Sequence, residues 1–316
     1  MLKRFLLFVF VLSLGVGGLA SAGTISTVVV YGDSLSDTGN LFKVSGQPAP
    51  PYYMGRASNG PLAVEDIAKT LGVPLLDYAF GGATTGIGNH LDPGGTATSI
   101  GKFGLPGITT LYAGSLATVT PLASTALFIV WGGPDDFLSP SPLDASPIAT
   151  ANRAVSNIVN IVNGLQGIGA QHILVPGMPD TGLTPFLMSQ GAVAAAQATA
   201  LTNYFDAQLT ARLPGGATYF DTATLLRTIV ANPAAYGFTN VTSQCFDATT
   251  GSVCGNPDQY LFFDDFHPTA RASSILAANL TAVSVPEPST SALMAASFLL
   301  LGLYSAVRRR ASSKTC

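Results

Sequence analysis

Charge is what this sequence has least of. Asp, Glu, Lys and Arg make up 10% of its 316 residues, where an average soluble domain carries about 25%. A disordered polyelectrolyte tail and a long charged coiled coil are thereby excluded. Cysteine and histidine are scarce too, at three each, and their spacing offers too few ligands for a zinc site. No Walker-type loop or G-x-G-x-x-G stretch opens a helical pattern, so a nucleotide-binding α/β domain is excluded. The 34 glycines and 21 prolines follow no three-residue period, which rules out collagen. There is no internal repeat, and no oligomer signal is visible.

What is abundant is apolar: hydrophobic residues reach 47%. Part of that excess sits at the ends. Residues 1–22 carry Lys3 and Arg4, then an uncharged run, then Ala20, Ser21 and Ala22, the order of a secretory signal peptide. Residues 289–307 are uncharged for 19 positions and are followed by Arg308, Arg309 and Arg310. At about 1.5 Å per residue such a helix just spans a bilayer core, with the arginines kept cytoplasmic. The expected organisation is a leader at 1–22, a single catalytic-sized domain at 23–284, and a linker, membrane segment and basic tail at 285–316. The middle part holds 8 basic and 16 acidic residues, a formal charge of −8. An acidic body provides no electrostatic footprint for DNA or RNA, and nucleic-acid binding is rejected. Cys245 and Cys254, nine apart in a Gly/Thr/Asp-rich loop of an exported domain, are expected to form a disulfide.

Within the body, apolar runs at 26–31, 75–80, 126–131 and 172–176, and a weaker one at 217–221, read as strands buried on both faces. Helical patterns lie between and after them, at 61–71, 147–165, 187–213, 222–231 and 268–283. Strands alternating with helices predict an α/β sandwich on a parallel sheet. In such a sheet ligands gather outside the carboxyl ends of the strands, and the polar clusters fall there. The first strand runs into Gly32-Asp33-Ser34, the second into Gly81-Gly82-Ala83, the third into Gly132-Gly133-Pro134-Asp135-Asp136. A late loop carries Asp264-Asp265-Phe266-His267 before the last helix.

A serine hydroxyl needs a base within hydrogen-bond reach to act as a nucleophile. Of the three histidines, His172 starts a strand at the edge opposite the rim, and His90 sits in a Gly/Asn loop that reads as solvated surface. His267 has Asp264 three residues before it, placed to fix the imidazole tautomer and stabilise the imidazolium.

Four segments, YGDSLSDTGN (31–40), DYAFGGATTG (77–86), WGGPDDFL (131–138) and FFDDFHPT (262–269), resemble in order the four signature blocks of the GDSL/SGNH hydrolase family. PPYYMGRASNG (50–60) resembles the segment that follows the first block in the lipase and esterase branch. The resemblance spans about residues 26–283. It implies a three-layer α/β/α sandwich of flavodoxin-like type and hydrolysis of carboxylic acyl esters through an acyl-enzyme, without cofactor or metal. Carried over by position, Ser34 is the nucleophile and one oxyanion donor through its backbone N–H, and Gly82 is the second donor. His267 is then the general base and Asp264 its orienting acid. The third block departs from the family, which places an asparagine where this chain has Asp135. An ionised carboxylate has no proton to donate and repels a developing oxyanion. Three outcomes follow: burial keeps Asp135 protonated and favours activity at low pH, or the enzyme runs slowly on two donors, or the fold serves binding. A working but weakened esterase is the expectation, and a non-catalytic surface protein binding glycan or lipid in the same cleft is the alternative.

VPEPST at 285–290, the apolar span and the arginines resemble the PEP-CTERM sorting signal. This implies export, transient membrane anchoring and cleavage by an exosortase-type enzyme. The substrate class is acyl-ester small molecules or lipids. Tyr52, Tyr53, Phe103, Phe137 and Leu138 are candidates for acyl contact, although scattered aromatics more often serve the core.

Overall fold

Val28, Val29 and Val30 are fully buried, and their β-branched side chains suit a strand walled in on both faces. They belong to β1 (Thr27–Gly32), the second of five strands in the sheet of a computed structural model that describes residues 25–284 and Gly302. The leader expected at 1–22 and, Gly302 apart, the segment at 285–316 lie outside the described residues. Among the described residues no helix is long and apolar enough to cross a membrane.

The remaining strands of the sheet are β2 (Leu75–Asp77), β3 (Ala126–Trp131), β4 (His172–Pro176) and β5 (Ala217–Phe220). All pair in parallel, in the order β2-β1-β3-β4-β5. Alternation along the strands divides their side chains between two faces. Val29, Tyr31, Phe128, Val130, Ile173 and Val175 form a core with α3 (Ile108–Val119), α5 (Pro147–Gly167) and α7 (Ala192–Arg212). Val28, Val30, Leu127, Ile129, Trp131 and Leu174 meet α2 (Ala63–Leu71) and α9 (Ala270–Ser284) on the other side. The result is a three-layer α/β/α sandwich, as the resemblance implies, within the compact unit Ile25–Ser284. The strand order reverses between β1 and β3, and a crevice opens at such a switch point beyond the strand ends.

Three helices are short: α1 (Asn40–Ser45), α4 (Pro134–Leu138) and α6 (Pro185–Ser189). The single helix expected over 187–213 is in fact α6 and α7, broken at Gly191. The Gly191 φ of 96° is one that side-chain-bearing residues rarely adopt. Beyond α8 (Thr222–Ala231) lies structure that the apolar pattern did not announce. Strand β6 (Asn240–Gln244) pairs in parallel with β9 (Tyr260–Phe262), and a hairpin of β7 (Phe246–Asp247) and β8 (Ser252–Val253) stands between them. A Cys245–Cys254 disulfide joins the two sides of that hairpin.

Candidate active site

The turn after β1 presents Ser34. The Asp33 carbonyl accepts the N–H groups of Ser36 and Asp37 at 3.1 and 3.0 Å, and Asp33 Oδ1 accepts that of Leu35 at 3.0 Å. This tight coil sits at the mouth of the β1–β3 crevice. The turn after β9 presents the imidazole. Asp264 Oδ1 accepts the N–H groups of Phe266 and His267 at 2.9 and 2.6 Å, which wraps the loop around the carboxylate. The His267 ring then bridges Asp264 and Ser34: Nδ1 lies 2.8 Å from Asp264 Oδ2, and Nε2 lies 2.8 Å from Ser34 Oγ. Ser34 and His267 are 233 residues apart in the chain.

Segment 50–60 fastens that loop. Tyr52 donates its hydroxyl to Asp264 Oδ2 at 2.8 Å, Ser58 Oγ donates to the Pro268 carbonyl at 2.8 Å, and Asn59 Oδ1 accepts the Ala270 N–H at 2.8 Å. The Tyr52 ring stands edge-on to Phe246 and Phe263, 5.4 Å from each, next to the disulfide. Tyr52, a candidate for acyl contact by sequence, thus also holds the carboxylate that orients the imidazole.

The loop after β2 brings in Gly82. Asp37 Oδ2 accepts the Gly81 N–H at 2.7 Å, tying this loop to the Ser34 turn. Asn89 donates to the Gly81 carbonyl at 2.9 Å. Gly82 has a φ of 77°, and a Cβ there would lie 2.6 Å from Asn89 Oδ1. Only glycine fits both demands. Among the described residues, neither the Ser34 nor the Gly82 N–H donates to a protein acceptor, so both are free for a substrate oxygen.

Asp135, in α4 after β3, faces the same cavity. Its carboxyl makes no hydrogen bond to another described residue. Burial, reinforced by Asp33 and Asp136, holds its pKa well above the ordinary carboxylate value. Burial likewise pushes Asp33 up to about 6 and Asp136 up to about 7. Asp136 is engaged by the Thr85 N–H and hydroxyl at 2.8 and 2.9 Å. Burial opposes a charge on His267, yet the carboxylates of Asp264, Asp135 and Asp33 outweigh it and raise its pKa. Burial also works against ionised Asp264, but His267 and the two loop N–H groups keep its pKa below the usual range.

Ser34, Gly82, Asp135, Asp264 and His267 therefore line one cavity of ≈ 440 Å³ with a largely apolar wall, to which Leu41, Leu91 and Leu138 contribute. Of the other acyl-contact candidates, Tyr53, Phe103 and Phe137 lie outside its lining. Phe137 packs on Phe205, and Phe103 is exposed. His90, read as solvated surface, is instead half-buried on the cavity wall, with Nδ1 buried and unpartnered. Asp33 and Asp37 are contributors that sequence reasoning did not single out, and Tyr52, named only for acyl contact, holds Asp264 as well. Asp33 and Asp37 sat in the first block, but nothing there announced their partners. Among the described residues no three His, Cys, Asp or Glu side chains are grouped to hold a metal.

A hydroxyl, an imidazole and a carboxylate in series, at the switch point of a parallel α/β/α sheet, make the framework of a serine-type hydrolase. The chain belongs to the GDSL-like lipase/acylhydrolase family, whose family model matches residues 28–280. It is 25% identical to a GDSL esterase/lipase of Arabidopsis thaliana, with 81% of each chain covered. It is 28% identical to a phosphatidylcholine-sterol acyltransferase of Aeromonas hydrophila, over 78% of this chain and 73% of the relative. A solved carbohydrate acetylesterase, Est24 of Sinorhizobium meliloti, aligns with a TM-score of 0.43 at 17% identity, covering 81% of this chain and 99% of that one. The protein is a carboxylic ester hydrolase.

Proposed function

We propose that the protein cleaves acyl esters through a covalent Ser34 acyl-enzyme. His267 Nε2 takes the Ser34 proton as Oγ attacks the ester carbonyl, then returns it to the leaving alcohol. A water activated by the same imidazole releases the acid and regenerates Ser34. Asp264 fixes the tautomer with the Nδ1 proton towards itself and stabilises the imidazolium. The Ser34 and Gly82 N–H groups receive the oxyanion, and Asp135 joins them as a donor only while protonated. The observation that carries this reading is the unbroken relay of 2.8 Å contacts from Ser34 through His267 to Asp264.

The apolar cavity wall and the similarity to the Aeromonas phosphatidylcholine-sterol acyltransferase favour a lipid-derived or other apolar acyl group over a small polar one. The pattern of residues 1–22 and 285–316 supports export, transient anchoring in the membrane, and release by an exosortase-type processing enzyme. The C-terminal mass of the mature protein tests the last step.

Fluorophosphonate labelling tests the chemistry. The wild type is expected to gain one adduct that Ser34→Ala loses, together with Ser34-dependent hydrolysis of p-nitrophenyl esters. No adduct between pH 4 and 9 would leave the cleft as a glycan- or lipid-binding site.

A further inference from the structure

Next to the catalytic cavity lies a second, half-open one of ≈ 80 Å³, lined by Trp131 of β3, Leu225 and Ile229 of α8, Leu261 of β9, and Ala272 and Leu276 of α9. Leu35, Pro179, Thr184 and Phe266 line both cavities, so a single layer of side chains divides them. Leu35 directly follows Ser34, which puts the dividing wall beside the reacting hydroxyl. Water at the apolar wall of the smaller cavity is poorly held, because an ordered water needs two to four polar partners. Thr222 Oγ1 on its wall is buried without a partner, and one such atom falls short of that need. A hydrocarbon group restores the dispersion contacts that the empty wall lacks.

Phe266 is the aromatic part of the partition. Its backbone N–H is fixed on Asp264 Oδ1 at 2.9 Å, while its ring is held only by contacts such as that with Phe186, 4.5 Å away between centroids. The ring can change rotamer without breaking a hydrogen bond of the Asp264 loop.

We propose that the second cavity is the terminal subsite for a linear acyl chain whose ester carbonyl sits at Ser34, and that Phe266 sets the chain length admitted. The inference rests on the ester-hydrolase reading above. A methylene occupies about as much space as a water's share of the liquid, about 30 Å³. The ≈ 80 Å³ cavity therefore takes roughly three methylenes. Burying each is worth about fourfold in kcat/KM, so filling the subsite is worth up to roughly 50-fold.

The experiment measures kcat/KM for p-nitrophenyl acetate, hexanoate and decanoate with the wild type, Phe266→Ala and Ala272→Leu. Calorimetric titration of the same proteins with free hexanoate and decanoate reads the cavity without turnover. Ala272→Leu fills the subsite and is expected to lower the decanoate-to-acetate ratio by ten- to fifty-fold, with a parallel loss of decanoate affinity. Phe266→Ala opens the partition and is expected to raise that ratio. Ratios within twofold of the wild type in both variants, with unchanged decanoate binding, overturn the subsite. Chain-length-dependent fatty-acid binding without Ser34-dependent turnover would sink the hydrolase reading and leave the subsite standing. If circular dichroism shows both variants misfolded, the wild type decides alone: decanoate must bind more tightly than hexanoate by up to roughly 50-fold, and equal affinities overturn the proposal.

Discussion

Asp135→Asn replaces one carboxyl oxygen with an NH2 group in the cavity that Ser34 also lines. It supplies a permanent donor where the wild type has one only while Asp135 is protonated. Two requirements compete in the wild type. His267 must be neutral to accept the Ser34 proton, and its raised pKa moves that condition to higher pH. Asp135 must be protonated, and its raised pKa lets that condition persist to a higher pH than for an ordinary carboxyl. With one proton shared between the two, only the arrangement with neutral imidazole and protonated carboxyl is productive, and the opposite one is idle. The wild type therefore has a narrow bell-shaped profile. Its alkaline limb is the ionisation of Asp135. An oxyanion donor is worth about 10²–10³ in rate, or roughly 2.7–4 kcal/mol. The variant-to-wild-type kcat ratio is expected to be a few-fold near pH 5 and to reach about 10² or more by pH 9. The acidic limb should not move to lower pH, because the productive wild type carries a protonated Asp135 there, as uncharged as the amide. The assay is kcat on p-nitrophenyl acetate from pH 4.5 to 9, corrected for spontaneous hydrolysis. A ratio independent of pH, or below one throughout, refutes the reasoning.

Tyr52→Phe removes one hydrogen bond from Asp264 and keeps the ring against Phe246 and Phe263. A bond to a charged group contributes about 1.5–3 kcal/mol, so kcat is expected to fall about tenfold or more with KM little changed. A KM effect alone contradicts the positioning role. Gly82→Ala must place a Cβ 2.6 Å from Asn89 Oδ1 on a backbone with φ 77°. The shift of the loop N–H should cost about 10²-fold in kcat while circular dichroism stays native, and full activity would exclude Gly82 as a donor. Stability should fall as pH rises. Burial raises Asp33 to about 6 and Asp77, Asp136 and Asp206 each to about 7, against about 3.9 in the unfolded chain. The folded state then binds more protons between those values, so their contribution is complete below about pH 4 and lost by about pH 7. His267, also raised, acts in the same direction at higher pH. Asp264, lowered, acts in the opposite sense, but only in acid. Thermal melts should give a higher Tm at pH 5 than at pH 8, and a flat or inverted trend counts against those buried carboxyls.

The sheet was legible because each central strand is a continuous apolar run, a pattern set by burial on both faces and visible without neighbours. Its carboxyl-end clusters were legible for a related reason: loops at strand ends are where polar residues collect once the strands are wholly apolar. Ser34, Gly82, Asp264 and His267 were singled out from those clusters and from the family resemblance, as was the unusual Asp135. Helix α3 escaped because its apolar residues form no one-sided stripe. The break at Gly191 escaped because an Ala-rich sequence on either side reads as one helix. The hold of Tyr52 on Asp264 joins residues 212 apart, and no local period encodes such a distance. Only the tertiary structure gathered Asp33, Asp135, Asp136 and His267 at one switch point. Their protonation follows from mutual burial and charge, which are properties of position in space. The second cavity arises likewise from how α8, α9 and β9 meet, since a void belongs to the gap between elements and to no stretch of sequence.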